Sequence, residues 1–339
     1  MQSGVTLFAK LVLTLSWLQV HAATAVATTP LDLRLLTYNI RYATTSPGTG
    51  EQPWSARRPR MHAQLVHETA GRAGSSLLCM QEVLRSQLMD LLSDLSSPTT
   101  STSAASDWAH IGVGRDDGVN AGEFSPILYQ TTAWTVERSR TFWLSPTPDV
   151  AGSKGWDAAL PRIATAARLR HVVTGKLVVL VCTHFDNAGQ RAREESARLL
   201  VRLAGQVAGG VGLEDVDFGS GSGSGRSTAG QAAAGAVPVF VAGDLNSTPD
   251  NAAYKSFVAA GAMRDAKDLV PARRRYGNSK TYTAFTTSTS DDSLLDHVFV
   301  KNETGIEFAS YAVLPNRFDD DPVFISDHRP VVVDVRIST

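Results

Sequence analysis

Cysteine is nearly missing from this chain: there are two among 339 residues. So few exclude a disulfide-dense scaffold, and with no Cys/His pair at tetrahedral spacing they exclude a structural zinc site. An excess of charge of one sign is missing too. Lys and Arg total 32 against 33 Asp and Glu, a formal net charge of −1, so no bulk field draws the chain to nucleic acid. Long basic runs are absent. Arg273-Arg274-Arg275 is a short patch, which a solvated loop explains better than a polyanion site. No repeat recurs at a fixed period, which removes solenoids and propellers. After residue 22 no apolar stretch is long enough to cross a bilayer.

What is present is the composition of a globular protein, 43% hydrophobic and 19% charged. At the N-terminus, Lys10 precedes an apolar run from Leu11 to Val20, followed by Val20-His21-Ala22. That is the layout of a secretory signal peptide over residues 1–22, too short for a membrane span, and it implies a secreted, extracellular protein. Cys79 lies in SSLLCMQE and Cys182 in LVVLVCTHFD, both apolar and strand-like. Secretion permits a disulfide, and two buried free thiols fit the sequence equally well.

Strand and helix patterns alternate along the chain. Leu33–Ile40 and Ser76–Met80 read as buried strands, each followed by a segment with helical spacing, Arg57–Ala70 and Leu84–Leu95. Short strands follow at Trp108–Val113, Ile127–Tyr129, Trp134–Arg138, Ile163–Val173 and Lys176–Thr183, then a helix at Ala192–Val207. Val237–Ala242, Leu295–Val300, Phe308–Val313 and Val331–Ile337 read as strands, with a helix at Ala252–Ala260. This is an α/β chain. Ser96–Ser106 is a polar loop, and a Gly/Ser-rich insertion at about 209–236 reads as flexible. Strands of one style flank both segments, so 31–339 is expected to be a single domain.

The ends of the apolar strands carry the chemistry. Asn39 ends LLTYNI, Glu82 ends LLCMQE, and His184 and Asp186 end LVVLVCTHFD. Asp244 and Asn246 end VPVFVAGDLN, Asp296 and His297 open LLDHVFV, and Asp327 and His328 stand just before the last strand. Singly, each has a bland account as a turn or cap residue. Together they place acids, amides and imidazoles where loops meet a rigid frame. Hard carboxylate and amide oxygens suit Mg²⁺ or Mn²⁺, with amides and imidazolium left to bind phosphate oxygens. That is the inventory of a phosphoester hydrolase.

TYNI, QE, CTHFD, GDLN, LDHVF and SDH, in this order, resemble the endonuclease/exonuclease/phosphatase superfamily, from about Leu33 to Arg336. GEFSPILY resembles its mid-chain segment. The resemblance implies a four-layer α/β sandwich, two mixed sheets packed face to face with helices outside, and a Mg²⁺- or Mn²⁺-dependent hydrolase. It implies Glu82 as the principal metal ligand, with Asn39 and Asp327 helping to hold the metal and its waters. Asp244 would orient or deprotonate the attacking water, and Asn246 would bind a phosphate oxygen. His328 would contact the scissile phosphate with Asp296 fixing its tautomer, and His184, partnered by Glu123, would be a second imidazole at the phosphate.

The family's apurinic-site enzymes carry an acid two residues after the first Asn; here Arg41 stands there. Arg41 either meets a substrate phosphate or pairs with a nearby acid. Trp54, with Arg57 and Arg58, forms either a substrate-binding rim or an ordinary helix start. The expected substrate is a phosphodiester, as for a nuclease; a small sugar, inositol or nucleotide phosphate is the alternative. A catalytically silent phosphate-binding protein is the reading from a different class. No obligate protein partner is implied. Asn246-Ser247-Thr248 and Asn302-Glu303-Thr304 are glycosylation sequons; a phosphate-binding Asn246 would stay unmodified.

Overall fold

The computed structural model describes residues 29–96, 108–218 and 237–338. The expected signal peptide, nearly all of the polar loop and residues 219–236 of the expected insertion lie outside them. The chain forms β1 (Leu31–Asn39), α1 (Trp54–Thr69), β2 (Ser76–Gln81), α2 (Arg85–Ser96), β3 (Trp108–Ile111), β4 (Ile127–Gln130) and β5 (Trp134–Trp143). There follow β6 (Ile163–His171), β7 (Leu177–His184), α3 (Gln190–Ala208), β8 (Val239–Asp244), α4 (Ala252–Val258), β9 (Arg264–Asp265) and α5 (Ala266–Leu269). The last strands are β10 (Arg275–Gly277), β11 (Asp296–Lys301), β12 (Ile306–Val313) and β13 (Val331–Ile337).

Two mixed sheets result, a seven-stranded one in the order β10-β12-β13-β1-β2-β4-β3 and a six-stranded one in the order β5-β6-β7-β8-β11-β9. Their strands are apolar on both faces because both faces are covered. In β1, Leu31, Leu33 and Leu35 enter the core between the sheets, while Leu36 and Tyr38 point the other way, under α1 and α2. In β7, Val178, Leu180 and Cys182 face inward, while Val179 and Val181 meet Leu200 and Leu203 of α3. The period of two in the strands and the helical spacing of Met61/Leu65 and Leu88/Leu91/Leu95 thus specify four layers. Truncating one such buried Leu to Ala typically costs about 2–5 kcal/mol.

Some elements differ from their sequence expectation. β5 runs on to Trp143 through a bulge at Val136/Arg138. Its ERSRT stretch is wholly polar and partly or fully exposed because it is an edge strand, which hides it from a search for apolar runs. The first part of the expected insertion is packed where it is described: Leu213 and Val216 are buried in the core beneath α3, and the Leu213 carbonyl accepts from Arg140. β9, α5 and β10 have two to four residues each, too few for periodicity to register.

Two features fix the strands behind the strand ends. Cys79 of β2 and Cys182 of β7 form a disulfide across the inter-sheet core, with Cα atoms 5.2 Å apart. Gly243 of β8 has φ +150°, and a Cβ there would lie 2.0 Å from the Thr183 carbonyl oxygen of the parallel neighbour β7. Gly243→Ala is therefore expected to destabilise the fold by about 2 kcal/mol or more. An unchanged midpoint in chemical denaturation would refute that.

Candidate active site

Sheet polarity gathers the strand-end residues. β1 and β2 are parallel, with Asn39 opposite Gln81, so Asn39 and Glu82 leave the sheet at one end. β7 and β8 are likewise parallel, with His184 opposite Asp244. β11 and β13 run antiparallel to β8 and β1, so it is their beginnings that reach the same end. Asp296 lies opposite Asp244, and Val331, just past Asp327 and His328, lies opposite Thr37. Six segments spread over most of the chain therefore converge on one cleft.

Asn39 is the hub between the sheets. Its amide nitrogen donates to Glu82 Oε1 and to Asp244 Oδ2, both at 3.0 Å, while its Oδ1 accepts from the Arg41 backbone at 3.0 Å. The other Glu82 oxygen accepts from the Tyr42 backbone at 3.2 Å. Asp244 Oδ1 accepts from the Asn246 backbone at 2.8 Å, and its Oδ2 lies 3.5 Å from His184 Nε2 and 3.6 Å from His328 Nε2. His328 Nδ1 is 2.8 Å from Asp296 Oδ2. Ser326 reinforces the turn: its hydroxyl donates to the Asn39 carbonyl at 2.6 Å and accepts from the His328 backbone. Arg41, Glu82 and Asn246 all have positive φ, at 56°, 59° and 46°. Such left-handed backbone is strained for residues other than glycine and collects where a site over-determines it.

The electrostatics separate the two imidazoles. Burial opposes charge on His328, but Asp296 and Asp244 outweigh it and hold the ring well above its ordinary range, as an imidazolium. Burial, Arg162 and Arg115 all push His184 well below that range, so it is neutral. Burial raises Asp244 to about 6, with Asp296 adding and His328 opposing. Burial likewise raises Asp327 to about 6, with Glu82 adding and His328 and Arg41 opposing. Carboxylate crowds carboxylate here, Asp296 against Asp244 and Glu82 against Asp327, a local surplus of negative charge.

That surplus defines where a cation fits. Buried Asp244, Asp296 and His328 bring ligand atoms within 4.8 Å of one another, close enough for one metal ion. An imidazolium has no lone pair to give, however, and Asp296 is already bonded to it. Glu82 and Asp327 repel each other, and the Glu82 side chain keeps 13% exposure to the cleft. This hard-oxygen pair suits Mg²⁺ or Mn²⁺ better. Asn39 then acts by its N–H groups on Glu82 and Asp244 as much as by its oxygen.

Two expectations need correction, and one alternative is decided. Glu123 does not hydrogen-bond to His184: its Oε2 lies 3.9 Å from Nδ1 and is 2.7 Å from an Arg115 nitrogen. An Arg162 nitrogen stands 3.0 Å from Nδ1 instead. Trp54 is engaged in helix packing, its indole N–H donating to Asp90 of α2, which Arg58 also binds. Arg57 is buried at 1% exposure and donates to the carbonyls of Ile40, Arg41, Gln52 and Ile325. The PWSARR stretch is a structural clamp behind the Arg41 turn, because a buried guanidinium must satisfy its five donors. Arg41 itself pairs with Glu51 at 2.9 Å and lies 3.7 Å from Glu82.

Sequence reasoning missed several neighbours. Arg115 and Arg162 flank His184, and Tyr282 packs edge-on against His328, ring centroids 5.1 Å apart. Thr281 accepts from the Asp296 backbone and Thr283 donates to the Asp327 carbonyl. The only signals were an Arg inside LPRIAT and the alternation Thr-Tyr-Thr, both too common to act on.

A model of the Endonuclease/Exonuclease/phosphatase family matches residues 36–328. The chain belongs to this family, whose members are phosphoester hydrolases dependent on a divalent metal. Among solved structures it is similar to a member of the same family from Bacteroides vulgatus, at 30% identity and TM-score 0.70, over 90% of this chain and 99% of that one. It is also similar to a mannosyl-6-phosphatase of Bacteroides thetaiotaomicron, at 29% identity and TM-score 0.69, over 89% and 99% of the two chains. The human Nocturnin catalytic domain shares the fold at 15% identity and TM-score 0.60, over 90% and 94%. No match was found among curated proteins.

Proposed function

We propose that the chain is a divalent-metal-dependent phosphoester hydrolase whose substrate is a small phosphorylated molecule, a sugar phosphate in kind. The observation that carries this reading is the single cluster of hydrogen bonds and close charge pairs among Glu82, Asn39, Asp244, Asn246, His184, His328 and Asp296. Glu82 and Asp327, with Asn39, would hold Mg²⁺ or Mn²⁺, which when bound neutralises charge on the phosphate oxygens. Asp244 orients a water molecule and takes its proton. The His328 imidazolium, held by Asp296, donates from Nε2 to the phosphate. Asn246 and His184 offer N–H groups to another phosphate oxygen.

The 29% identity to a mannosyl-6-phosphatase supports the sugar-phosphate class, as does the near-zero net charge. A phosphodiester or polynucleotide substrate is the second reading, favoured by Arg275 and the exposed Tyr276 on the edge strand β10, with Arg273 and Arg274 in the turn before it. A catalytically silent role sits poorly with an intact cluster. Secretion gains support from the Cys79–Cys182 disulfide, since such bonds persist in oxidising compartments. Among the described residues no helix is long and apolar enough to cross a membrane.

A phosphoester panel with Mg²⁺ or Mn²⁺ tests the reading. Hexose 6-phosphates should turn over about tenfold or more faster than bis-p-nitrophenyl phosphate, DNA or RNA. Turnover confined to the diesters would favour the second reading, and no turnover on any member would remove the enzyme.

Metal binding should also show as stabilisation that depends on pH. Asp244 and Asp327 carry folded pKa values of about 6, above an unfolded value of about 3.9. Their burial therefore favours the fold at acid pH, and that contribution is lost as pH rises through about 6. A bound cation restores it, and competes best once the acids are ionised. At 100 times Kd the gain is about 2.7 kcal/mol. Mn²⁺ should raise Tm at about pH 7.5 and much less at about pH 5; a shift of equal size at both would contradict the assignment.

A further inference from the structure

His184 is ringed by donors. An Arg162 nitrogen lies 3.0 Å from Nδ1, and the Asn246 amide nitrogen lies 3.1 Å from Nε2 while donating to the Phe185 carbonyl. A neutral imidazole has one lone pair and one proton, so it satisfies only one of these donors. The guanidinium cannot reverse its role, because it has no acceptor and stays protonated. Arg162 is also fixed from behind, by Asp186 at 3.4 Å and Asn187 Oδ1 at 3.1 Å. Asp186 is itself anchored by the backbones of Ala159, Leu160, Ala188 and Gly189. The other charged groups around the ring are Arg115 and His328, Glu123 at 3.9 Å from Nδ1, and Asp244 at 3.5 Å from Nε2.

We propose that Arg162 is the positioning residue for His184: its N–H on Nδ1 forces the ring proton onto Nε2, the nitrogen that faces Asp244 and Asn246. The consequence is a pair of N–H donors, His184 Nε2–H and Asn246 Nδ2–H, side by side with no full-strength acceptor between them. Asp244 at 3.5 Å is at the limit of a hydrogen bond. An anionic oxygen entering the cleft completes both. The device mirrors that of His328, where a carboxylate rather than a guanidinium lies behind Nδ1. The use of this slot for a phosphate oxygen rests on the hydrolase reading above; the tautomer does not.

The test is the tautomer itself, read from nitrogen chemical shifts of the protein labelled with ¹⁵N-histidine, with His184→Gln used to assign the signal. The wild-type ring should be the neutral Nε2–H form. Arg162→Met should shift it toward Nδ1–H or a mixture and lower kcat/KM about tenfold or more, while Arg162→Lys, which keeps one cationic donor, should restore the Nε2–H form in part. An Nδ1–H ring in the wild type, or an unchanged tautomer in Arg162→Met, overturns the proposal. If Arg162→Met does not fold, Arg162→Gln takes its place in the same comparison. A protein with the Nε2–H ring that hydrolyses no phosphoester would leave Arg162 in its role and remove only the hydrolase reading.

Discussion

His328→Ala is expected to lower kcat by about a hundredfold to a thousandfold, the usual effect of removing one preorganised donor to a developing anion. The imidazolium is held by Asp296 at 2.8 Å, with its other nitrogen 3.6 Å from Asp244. It is the charged donor nearest to the acid proposed to take the proton from water. The substitution has a second effect that must be separated from the first. Asp296 is fully buried, its Oδ1 has no hydrogen-bond partner, and its Oδ2 bonds to His328. Losing the imidazolium strands that carboxylate, at about 3–5 kcal/mol. The double variant His328→Ala/Asp296→Asn removes the stranded charge. It should regain much of the stability while remaining inactive, and steady-state kinetics beside chemical denaturation would show the split. Activity near the wild-type level in either variant would eliminate His328 from the chemistry.

Loss of the disulfide is the second large effect expected. Cys79 and Cys182 are 103 residues apart in sequence, and closing a loop of that length restricts the unfolded chain by about 4.7 kcal/mol on the loop-entropy account, with measured losses of about 2–5 kcal/mol. Cys79→Ala/Cys182→Ala, or reduction of the wild type, should lower Tm by roughly 5–10 °C. The bond lies three residues before Glu82 and two before His184, on strands of opposite sheets. Metal affinity should therefore weaken in the variant at temperatures where the fold persists. A Tm indifferent to reductant, or two free thiols in the unfolded protein, would contradict the bond.

How far the site was legible follows from the kind of signal each residue leaves. Asn39, Glu82, Asp244, Asp296, Asp327 and His328 could be found because each is a polar residue bordering an apolar strand, and burying such groups without a partner is costly. Arg162 and Arg115 left no such mark, because a single Arg beside a loop is ordinary in sequence and becomes informative only when found buried against an imidazole. Glu123 was assigned to the wrong partner for the same reason: chain position does not tell which of two nearby groups a carboxylate reaches, and Arg115 is the closer. For Trp54 and Arg57 a substrate rim and a helix start stayed open, because both leave the same sequence pattern, whereas here Arg57 fills a buried junction of carbonyls.

By itself the sequence determined the alternation of strands and helices and the chemical inventory of the cleft, since periodicity and residue type are local properties; the four layers were only what the family resemblance implied. Only the tertiary structure decided which sheet each strand joins, that Cys79 meets Cys182, and which nitrogen of each histidine faces an acid or a guanidinium. Those outcomes depend on distances between residues far apart in the chain, and hydrogen bonds and charge pairs act only across a few ångströms.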